Sequence, residues 1–486
     1  MSHLNILFLM TDQQRFDGLG ANGNRFIQTP NLDRLASESA NFQNAFVQSP
    51  VCVPSRVTWF TGRYPHSHRN RVNYTPLDRR ETLMQKRFQQ AGYRTGAVGK
   101  LHLHPPTAEH ARTTGFDRVL IHDSGRADRH SAYLRWRAQN DPQAGSHYNA
   151  VAKDIPAGKN PFRSALADRY TETTWVGEQA RAMLREFTAG DRPFFFYCSF
   201  FKPHSPYTIP EAFASMYDGF EIPLPRKSSI QEIERLPAPV RKQILRGKSE
   251  YDTDRGRLQW IYRSYYGAIS QIDREVGLIL KELESSSKAR DTIVVFSTDH
   301  GDQLLEHGLF GKNVFFEASV HIPFLVRLPG RIRAARYTEL IEAADLAPTL
   351  FDFCGIETPP DCQGRSFRNL VETGRGSYEP REFVVAENII PEVITSGALD
   401  LPYERGKGVG GILHPDAKMI RTRRWKLDYY VGHGGDLYDL EHDPAEERNL
   451  YDDPAHRPAR DLLQTAPLDW LITADEPEQI APRWLV

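Results

Sequence analysis

Three stretches of the chain carry nearly unbroken runs of apolar residues instead of an alternating pattern. They span residues 4–10, 193–200 and 291–297, and a polar residue follows each run within two positions. Continuous apolar runs of this length are typical of strands buried on both faces of a parallel sheet. Residues 322–327 predict one further strand.

Helical patterns separate these strands. The clearest lie at residues 171–187 and 260–284, the second being the longest in the chain, and a short strand is predicted at 93–98. Strands that alternate with helices predict an α/β fold, with a doubly wound, mostly parallel central sheet flanked by helices. Residues 104–170 are polar with weak periodicity and 208–255 are charged and dotted with prolines, so we expect both to lie on the surface.

The character of the sequence changes after about residue 370. Residues 419–430 and 435–440 predict antiparallel strands, and residues 458–464 predict a short helix. We therefore predict two domains: a large α/β domain over residues 1–370 and a smaller C-terminal α+β domain, with an antiparallel sheet, over residues 371–486.

Composition and charge are those of an ordinary globular protein. Hydrophobic residues make up 40% of the chain and charged residues 25%, with 61 basic and 62 acidic side chains and a net charge of −1. This balance argues against nucleic acid or a membrane surface as a partner. The four cysteines are too few and too scattered for a disulfide framework.

The N-terminal apolar run lacks the features of a targeting signal. It is short, is interrupted by Asn5, has no basic residues before it and continues directly into Thr11 and Asp12. No stretch of the chain approaches the ~20 apolar residues that a transmembrane helix needs. We therefore expect a cytoplasmic protein.

Polar side chains cluster just beyond several predicted strands. A doubly wound sheet collects its strand ends along one edge, so these clusters are expected to converge in one pocket. Each residue alone has a plainer explanation, because a lone histidine is more often a hydrogen-bonded residue and a lone lysine is nearly always solvated. The strand-end residues are Asp12, Gln13, Lys100, His102, His204, Asp299 and His300, with Cys52 and Lys312 on loops or helix starts nearby. If the strand at 93–98 continued, Lys100 and His102 would point to the same side.

One motif gives these residues a common meaning. Residues 49–56 read Ser-Pro-Val-Cys-Val-Pro-Ser-Arg, and Thr-Gly-Arg follows at 61–63. This pattern resembles the signature of the sulfatase family, in which a dedicated enzyme oxidises the cysteine to formylglycine. The aldehyde hydrate of formylglycine is the nucleophile in that family. A single cysteine is more often a small buried apolar residue, so the assignment depends on whether other residues of the chain also fit a sulfate site.

The resemblance covers almost the whole chain and implies an alkaline phosphatase-like fold with its catalytic site in residues 1–370. It assigns a divalent metal to Asp12, Gln13, Asp299 and His300, with the modified Cys52 against that metal. Arg56 would neutralise and orient the nucleophile. The remaining residues would surround the sulfate and move protons: Lys100, His204 and Lys312 at the sulfate oxygens and leaving group, and His102 at the nucleophile.

Gln13 and His300 depart from the commoner sulfatase pattern, which has an aspartate and an asparagine at these places. A site of two carboxylates, an amide and an imidazole is less anionic and slightly softer than an all-oxygen cage. Ca²⁺ is our first expectation, and Mn²⁺ is the alternative.

The same metal residues resemble those of phosphonate monoester and phosphodiester hydrolases, and Asn73 stands where those enzymes have a substrate-side asparagine. Those enzymes lack the Lys-x-His of Lys100 and His102. We therefore expect a sulfuric ester hydrolase that acts on an aryl, alkyl or sugar sulfate. The phosphonate or phosphodiester hydrolase remains the alternative, and a non-catalytic binder of sulfated glycans is a further one.

Other features stay open at this level. Asp302, Glu306 and His307 are as consistent with support of a loop as with direct function. Substrate specificity is expected from loops within residues 103–170, 205–255 and 385–415. Tyr74, Tyr207 and the turn at 433–435 are candidates for lining the entrance of the pocket. Expected partners are a sulfate ester and the enzyme that matures Cys52, and a homo-oligomer is left open.

Overall fold

The computed structural model describes most of the chain. The described residues are 4–73, 75–123, 131–142, 149–156, 158–226, 228–251, 255–374, 378–389 and 416–474.

A sheet of eight strands forms the centre of the molecule, in the order β4-β3-β5-β1-β6-β7-β2-β8. Neighbouring strands are parallel except where β7 pairs antiparallel with β6 and β2. The predicted doubly wound, mostly parallel sheet is confirmed. Its strands are β1 (Asn5–Asp12), β2 (Ala40–Phe46), β3 (Arg94–Gly99), β4 (Arg118–Ile121), β5 (Phe194–Pro203), β6 (Thr292–Thr298), β7 (Phe324–Arg327) and β8 (Ala335–Glu342).

Helices cover both faces of this sheet. Residues Ile6, Phe8 and Met10 of β1 point into one core, and Leu7 and Leu9 point into the other, as period-two alternation requires. The helices are α1 (Pro30–Ser37), α2 (Cys52–Thr61), α3 (Pro65–His68), α4 (Met84–Gln90), α5 (Ala108–Thr113), α6 (Ala132–Asn140), α7 (Glu172–Thr188), α8 (Glu211–Ser215), α9 (Ile230–Glu234), α10 (Ala238–Tyr251), α11 (Arg255–Glu284), α12 (Glu317–Val320), α13 (Leu346–Cys354), α14 (Arg368–Thr373) and α15 (Arg457–Ala474).

The two faces are covered by different helices. Side chains of α7 and α11, among them Trp175 and Ile272, share one core with Leu7 and Leu9. Side chains of α2 and α13, among them Trp59 and Leu346, belong to the other core. Helix α11 is the longest of the described helices, as its sequence pattern predicts.

A second sheet of four antiparallel strands, in the order β12-β11-β10-β9, confirms the predicted C-terminal antiparallel sheet. Helix α15 packs against it over Leu427 and Leu463, while Met419 and Tyr438 join the main core. The boundary predicted at residue 370 stays a prediction. The strands are β9 (Val384–Ile389), β10 (Asp416–Arg421), β11 (Trp425–Tyr430) and β12 (Gly434–Asp439).

Strand β9 ties the smaller sheet to loops of the larger one. The backbone N–H of Glu387 donates to the carbonyl oxygen of Gln48 at 2.8 Å. The side-chain amide of Asn388 donates to the carbonyl oxygen of Asn313 at 2.8 Å. Both contacts lie within a few residues of positions 52 and 312, so the C-terminal sheet touches the segments that carry the candidate site.

No helix in the described part of the chain is long and apolar enough to cross a membrane. The expected cytoplasmic location stays a prediction.

Candidate active site

Four adjacent strands deliver polar residues to one edge of the central sheet. Strands β3, β5, β1 and β6 are neighbours and run parallel, so their carboxyl ends lie together. Lys100 follows β3, His204 follows β5, Asp12 ends β1, and Asp299 and His300 follow β6. The predicted convergence at the strand ends is therefore observed in the fold.

Cys52 is the first residue of α2 and is buried beneath this edge. Its Sγ lies 2.8 Å from Nζ of Lys312 and 3.3 Å from Nε2 of His300. Burial and the carboxylate of Asp12 raise the pKa of the thiol, yet it is held well below its usual value. The ammonium groups of Lys312 and Lys100 cause this lowering. The site is therefore built to hold negative charge at position 52.

The ligand atoms of Asp12, Cys52, Asp299 and His300 all lie within 4.8 Å of one another, and all four residues are buried. Oδ1 of Asp12 has no hydrogen-bond partner among the described residues. Burial and the neighbouring Asp12 raise the pKa of Asp299. Burial also raises the pKa of Asp12, but the ammonium groups of Lys100 and Lys312 outweigh it and hold that pKa well below its usual value. Two close carboxylates with a free buried oxygen fit a divalent cation.

Arg56 lies one helical turn after Cys52 and contacts the carboxylates of both Asp12 and Asp299. Its Nε donates to Oδ2 of Asp299 at 2.8 Å, and its Nη2 donates to Oδ2 of Asp12 at 3.0 Å. Its Nη1 lies 2.9 Å from the hydroxyl of Tyr197 and 3.0 Å from the hydroxyl of Ser199. Arg56 is fully buried, so its charge is directed at the carboxylates of Asp12 and Asp299 and does not face solvent.

Gln13 follows β1 in a left-handed backbone conformation, with φ of 67°. Its backbone N–H donates to Oδ1 of Asp299 at 3.1 Å, and its side-chain Nε2 donates to Oδ2 of Asp302 at 2.6 Å. The amide nitrogen is thus engaged by a carboxylate. The amide oxygen is the atom left to serve a cation.

Three basic groups lie around this cluster. Nζ of Lys100 forms an ion pair with Oδ2 of Asp12 at 2.6 Å, and Lys312 contacts Cys52 as described. Nδ1 of His204 donates to the carbonyl oxygen of Ser205 at 2.7 Å, and Nε2 lies 3.9 Å from Oδ1 of Asp12. Burial, and then Lys312, lower the pKa of His204 to about 3. The ring is therefore neutral, with Nε2 facing the site.

Strand β3 does not continue through His102. The strand ends at Gly99, and His102 takes a left-handed conformation with φ of 53°. Both Leu101 and His102 donate their backbone N–H to Oδ1 of Asp123 at 2.8 Å, which turns the chain after Lys100. Nδ1 of His102 is buried without a hydrogen-bond partner among the described residues. The role assigned to His102 at the nucleophile stays a prediction.

Asn73 lies at the amino end of α2. Its Oδ1 accepts a hydrogen bond from the backbone N–H of Val53 at 3.1 Å, one residue after Cys52. This contact satisfies one of the free N–H groups of the first helical turn. The structure therefore gives Asn73 a helix-capping contact, and its substrate-side role stays a prediction.

The partners of Arg56 on β5 were not predicted from the sequence. Tyr197 and Ser199 lie two residues apart, so they point to the same face of the sheet. Two polar groups inside an otherwise apolar run were the available signal. Met10 pairs with Ser199 in register, and its Sδ accepts a hydrogen bond from the hydroxyl of Tyr197 at 3.1 Å.

The open residues of the loop after β6 have structural contacts. Asp302 accepts four hydrogen bonds within the protein, including those from Gln13 and from the hydroxyl of Tyr207. Glu306 pairs with Arg15 at 2.5 Å, and the ring of His307 stacks on Phe316 at 3.8 Å. Tyr74 and residues 390–415 lie outside the described residues, so the expectations for them stay predictions.

A buried thiol beside two carboxylates, an imidazole and three basic groups is an arrangement suited to hydrolysis of an anionic ester. A family model described as Sulfatase matches residues 4–356. The chain belongs to the sulfatase family, within the alkaline phosphatase superfamily. It is an enzyme of the sulfuric ester hydrolase class, as the motif at Cys52 predicted.

Relatives match over nearly full length. An arylsulfatase of Clostridium perfringens is 29% identical, with 95% of this chain and 92% of the relative covered. The multifunctional alkaline phosphatase superfamily protein PehA of Trinickia caryophylli is 28% identical, with 97% and 96% covered. Among solved structures, a phosphonate monoester hydrolase of Agrobacterium radiobacter superposes with a TM-score of 0.84 at 25% identity, covering 97% and 96%.

Proposed function

We propose that this enzyme cleaves a sulfate monoester by means of formylglycine formed from Cys52, together with a divalent metal. The observation that carries the proposal is the position of Cys52. Its Sγ lies within 4.8 Å of ligand atoms of Asp12, Asp299 and His300, and Nζ of Lys312 lies 2.8 Å away. A cysteine that served only packing would have no use for this charged surrounding.

The residues present fit both the divalent metal and the formylglycine. Two carboxylates, one imidazole and the amide oxygen of Gln13 form a donor set for Ca²⁺ or Mn²⁺, and Oδ1 of Asp12 lacks any other partner among the described residues. When bound, the metal would supply positive charge, and the formylglycine hydrate would supply one hydroxyl for attack and a second for release of sulfate.

The basic groups of the chain neutralise the substrate. A sulfate ester is anionic, and charge on its leaving oxygen grows as the S–O bond breaks. Lys312 contacts Cys52 and Lys100 pairs with Asp12, and the positive charges of both lysines lower the pKa of the Cys52 thiol. Preorganised cations of this kind typically contribute a few kcal/mol each to transition-state stabilisation.

Proton transfer to the leaving group falls to His204 or Lys312. Nδ1 of His204 is held by the carbonyl oxygen of Ser205, so Nε2 is the nitrogen free to carry a proton. Burial and Lys312 lower the pKa of His204 to about 3. A bound sulfate ester brings negative charge beside the ring and raises that pKa, which favours protonation when substrate is present.

A second candidate, hydrolysis of a phosphonate monoester or phosphodiester, is supported by one observation. The phosphonate monoester hydrolase of Agrobacterium radiobacter shares the fold at a TM-score of 0.84. That class of enzyme is expected to lack the lysine at position 100. Here Lys100 is present and pairs with Asp12 at 2.6 Å, which favours sulfate ester hydrolysis.

The test compares an aryl sulfate with an aryl phosphonate monoester of the same leaving group. The enzyme must first have its Cys52 conversion quantified by mass spectrometry. We expect faster hydrolysis of the sulfate, and loss of both activities in Cys52→Ala. Full activity with an intact thiol at Cys52 would disprove the formylglycine mechanism, and binding of sulfated glycans without any hydrolysis would support a non-catalytic binder.

Metal removal tests the cation site separately. Chelation should lower the melting temperature as well as activity, because a ligand bound only to the folded state stabilises it. Adding Ca²⁺ or Mn²⁺ back to the apo enzyme then ranks the two metals. If the melting temperature is the same before and after chelation, in a sample shown to contain metal, the assignment of Asp12 and Asp299 as metal ligands is wrong.

A further inference from the structure

Asp302 lies at the start of the loop that leads to Lys312, and its carboxylate is completely buried. Both carboxylate oxygens are fully used. Oδ2 accepts from Nε2 of Gln13 at 2.6 Å and from the hydroxyl of Tyr207 at 2.8 Å. Oδ1 accepts from the backbone N–H of Leu304 at 3.1 Å and of Gly311 at 3.0 Å.

All four partners of Asp302 are donors. An ionised carboxylate accepts on both oxygens and is therefore satisfied by them, whereas an amide of the same shape would turn an NH₂ group toward two other donors. A buried donor that loses its acceptor costs about 1–3 kcal/mol. The surroundings of Asp302 thus require a carboxylate and not merely a polar residue.

Three of these contacts reach segments of the active site. Gln13 belongs to the cation site, Tyr207 follows His204 by three residues, and Gly311 precedes Lys312. Gln13 is fixed at both ends, since its backbone N–H is bound to Asp299 and its amide nitrogen to Asp302. This arrangement turns the amide oxygen away from Asp302.

We propose that Asp302 is a positioning residue that orients the Gln13 amide, so that its oxygen serves the divalent cation. The inference rests on the proposed function, because it takes Gln13 as a cation ligand. An amide ligand needs such a partner more than a carboxylate does, since only one of its two terminal atoms can bind a cation. Partners that orient metal ligands typically contribute 10–100-fold to metal affinity.

The experiment measures metal affinity directly, by titrating Mn²⁺ and Ca²⁺ into apo enzyme in a calorimeter. Asp302→Asn should bind the metal about 10–100-fold more weakly than the wild type. Glu306→Gln is the matched control, because it removes a carboxylate from the same loop without touching Gln13. The control should keep wild-type affinity.

A double-mutant cycle with Gln13→Ala separates positioning from general support of the fold. If Asp302 acts through Gln13, then Asp302→Asn should cause no further loss of metal affinity in the Gln13→Ala background. An equal loss in both backgrounds, or unchanged affinity in Asp302→Asn alone, would overturn the inference. Failure of the wild type itself to bind metal would instead disprove the proposed function.

A crystal structure of metal-loaded wild-type enzyme keeps the question answerable if Asp302→Asn does not fold. The Oε1 atom of Gln13 should coordinate the ion, at about 2.3–2.6 Å for Ca²⁺, while Nε2 still faces Asp302. A water molecule in place of Gln13, or an amide turned away from the ion, would overturn the inference.

Discussion

The guanidinium group of Arg56 contacts five oxygen atoms, and two of them belong to the carboxylates of Asp12 and Asp299. A lysine carries the same charge but presents it at one nitrogen, so it cannot reach both carboxylates and the β5 hydroxyl groups together. A buried charge that loses its partner lowers the stability of the fold, because no water molecule takes the place of the partner.

We therefore expect Arg56→Lys to lower the free energy of unfolding by about 3 kcal/mol, near the range for a broken buried ion pair. Chemical denaturation measures this directly. The matched control is Arg34→Lys, whose ion pairs with Glu38 and Glu284 are exposed and should change stability by less than about 0.5 kcal/mol. Equal effects of the two substitutions would contradict this account of Arg56.

Much of the site was predictable from single residues, since Asp12, Asp299 and His300 follow apolar strands directly and strand ends meet at one edge. The side-chain directions were not predictable. Gln13 and His102 adopt left-handed backbone conformations, with φ of 67° and 53°, that a run of residues in a sequence does not reveal. Contacts such as that between Gln13 and Asp302 join residues 289 positions apart and depend on the finished fold.

At the scale of elements, α2 determines where Cys52 stands. Its first turn has no side-chain cap from its own N-cap residue, Val51. Asn73 supplies that function from another segment by accepting the N–H of Val53. Gly62 caps the end of the helix. Its left-handed φ of 69° suits a glycine, and an added Cβ would lie 2.5 Å from Sγ of Cys362.

Asn73→Ala should destabilise the enzyme by about 1 kcal/mol, as loss of a helix cap typically does. Asn73→Asp keeps an acceptor oxygen and should retain wild-type stability in the same denaturation experiment. Hydrolysis of the sulfate ester should nonetheless fall in Asn73→Asp, because it adds a negative charge near the anionic substrate. Equal loss of stability in both variants would show that the contact with Val53 is unimportant.

The strands differ in how readily the sequence reveals them. Strands β1, β5 and β6 are buried throughout and read as apolar runs. Strands β2, β4 and β8 were not predicted. Strand β8 and the short β4 form the two edges of the sheet and contain exposed or half-buried positions, so polar residues interrupt their patterns. Strand β2 also carries polar residues in the middle of the strand.

The molecule contains a second buried cluster of charged residues, centred on Lys426 of β11. Lys426 is surrounded by Glu446, Asp428 and Glu317, and Asp428 faces Asp436 on the neighbouring strand. Burial raises the pKa of Asp428 to about 7, with Lys426 opposing and Glu317 adding to the shift. Burial raises the pKa of Glu446 to about 8.

A carboxyl group with a raised pKa in the folded state favours folding only while it is protonated. For Asp428 the contribution is complete below pH 4 and is lost as the pH rises through about 7. Asp428→Asn removes this dependence. We expect the variant to match the wild type in stability near pH 4 and to exceed it at pH 8, on the order of a few kcal/mol.

Thermal unfolding of both proteins across this pH range measures the difference. Asp416→Asn is a suitable control, because Asp416 lies on the same sheet with a side chain that is 48% exposed. A stability difference between Asp428→Asn and the wild type that stays constant from pH 4 to pH 8 would disagree with the raised pKa.

The hydrogen bonds that β9 makes to Gln48 and Asn313 limit how far the enzyme can be shortened. A fragment ending at residue 370 would keep every side chain proposed to bind the metal. It would lose the backbone partner of Gln48 and the amide that holds Asn313 next to Lys312. Removing residues 371–486, or exchanging them for those of a relative, would therefore disturb catalysis from outside the catalytic residues.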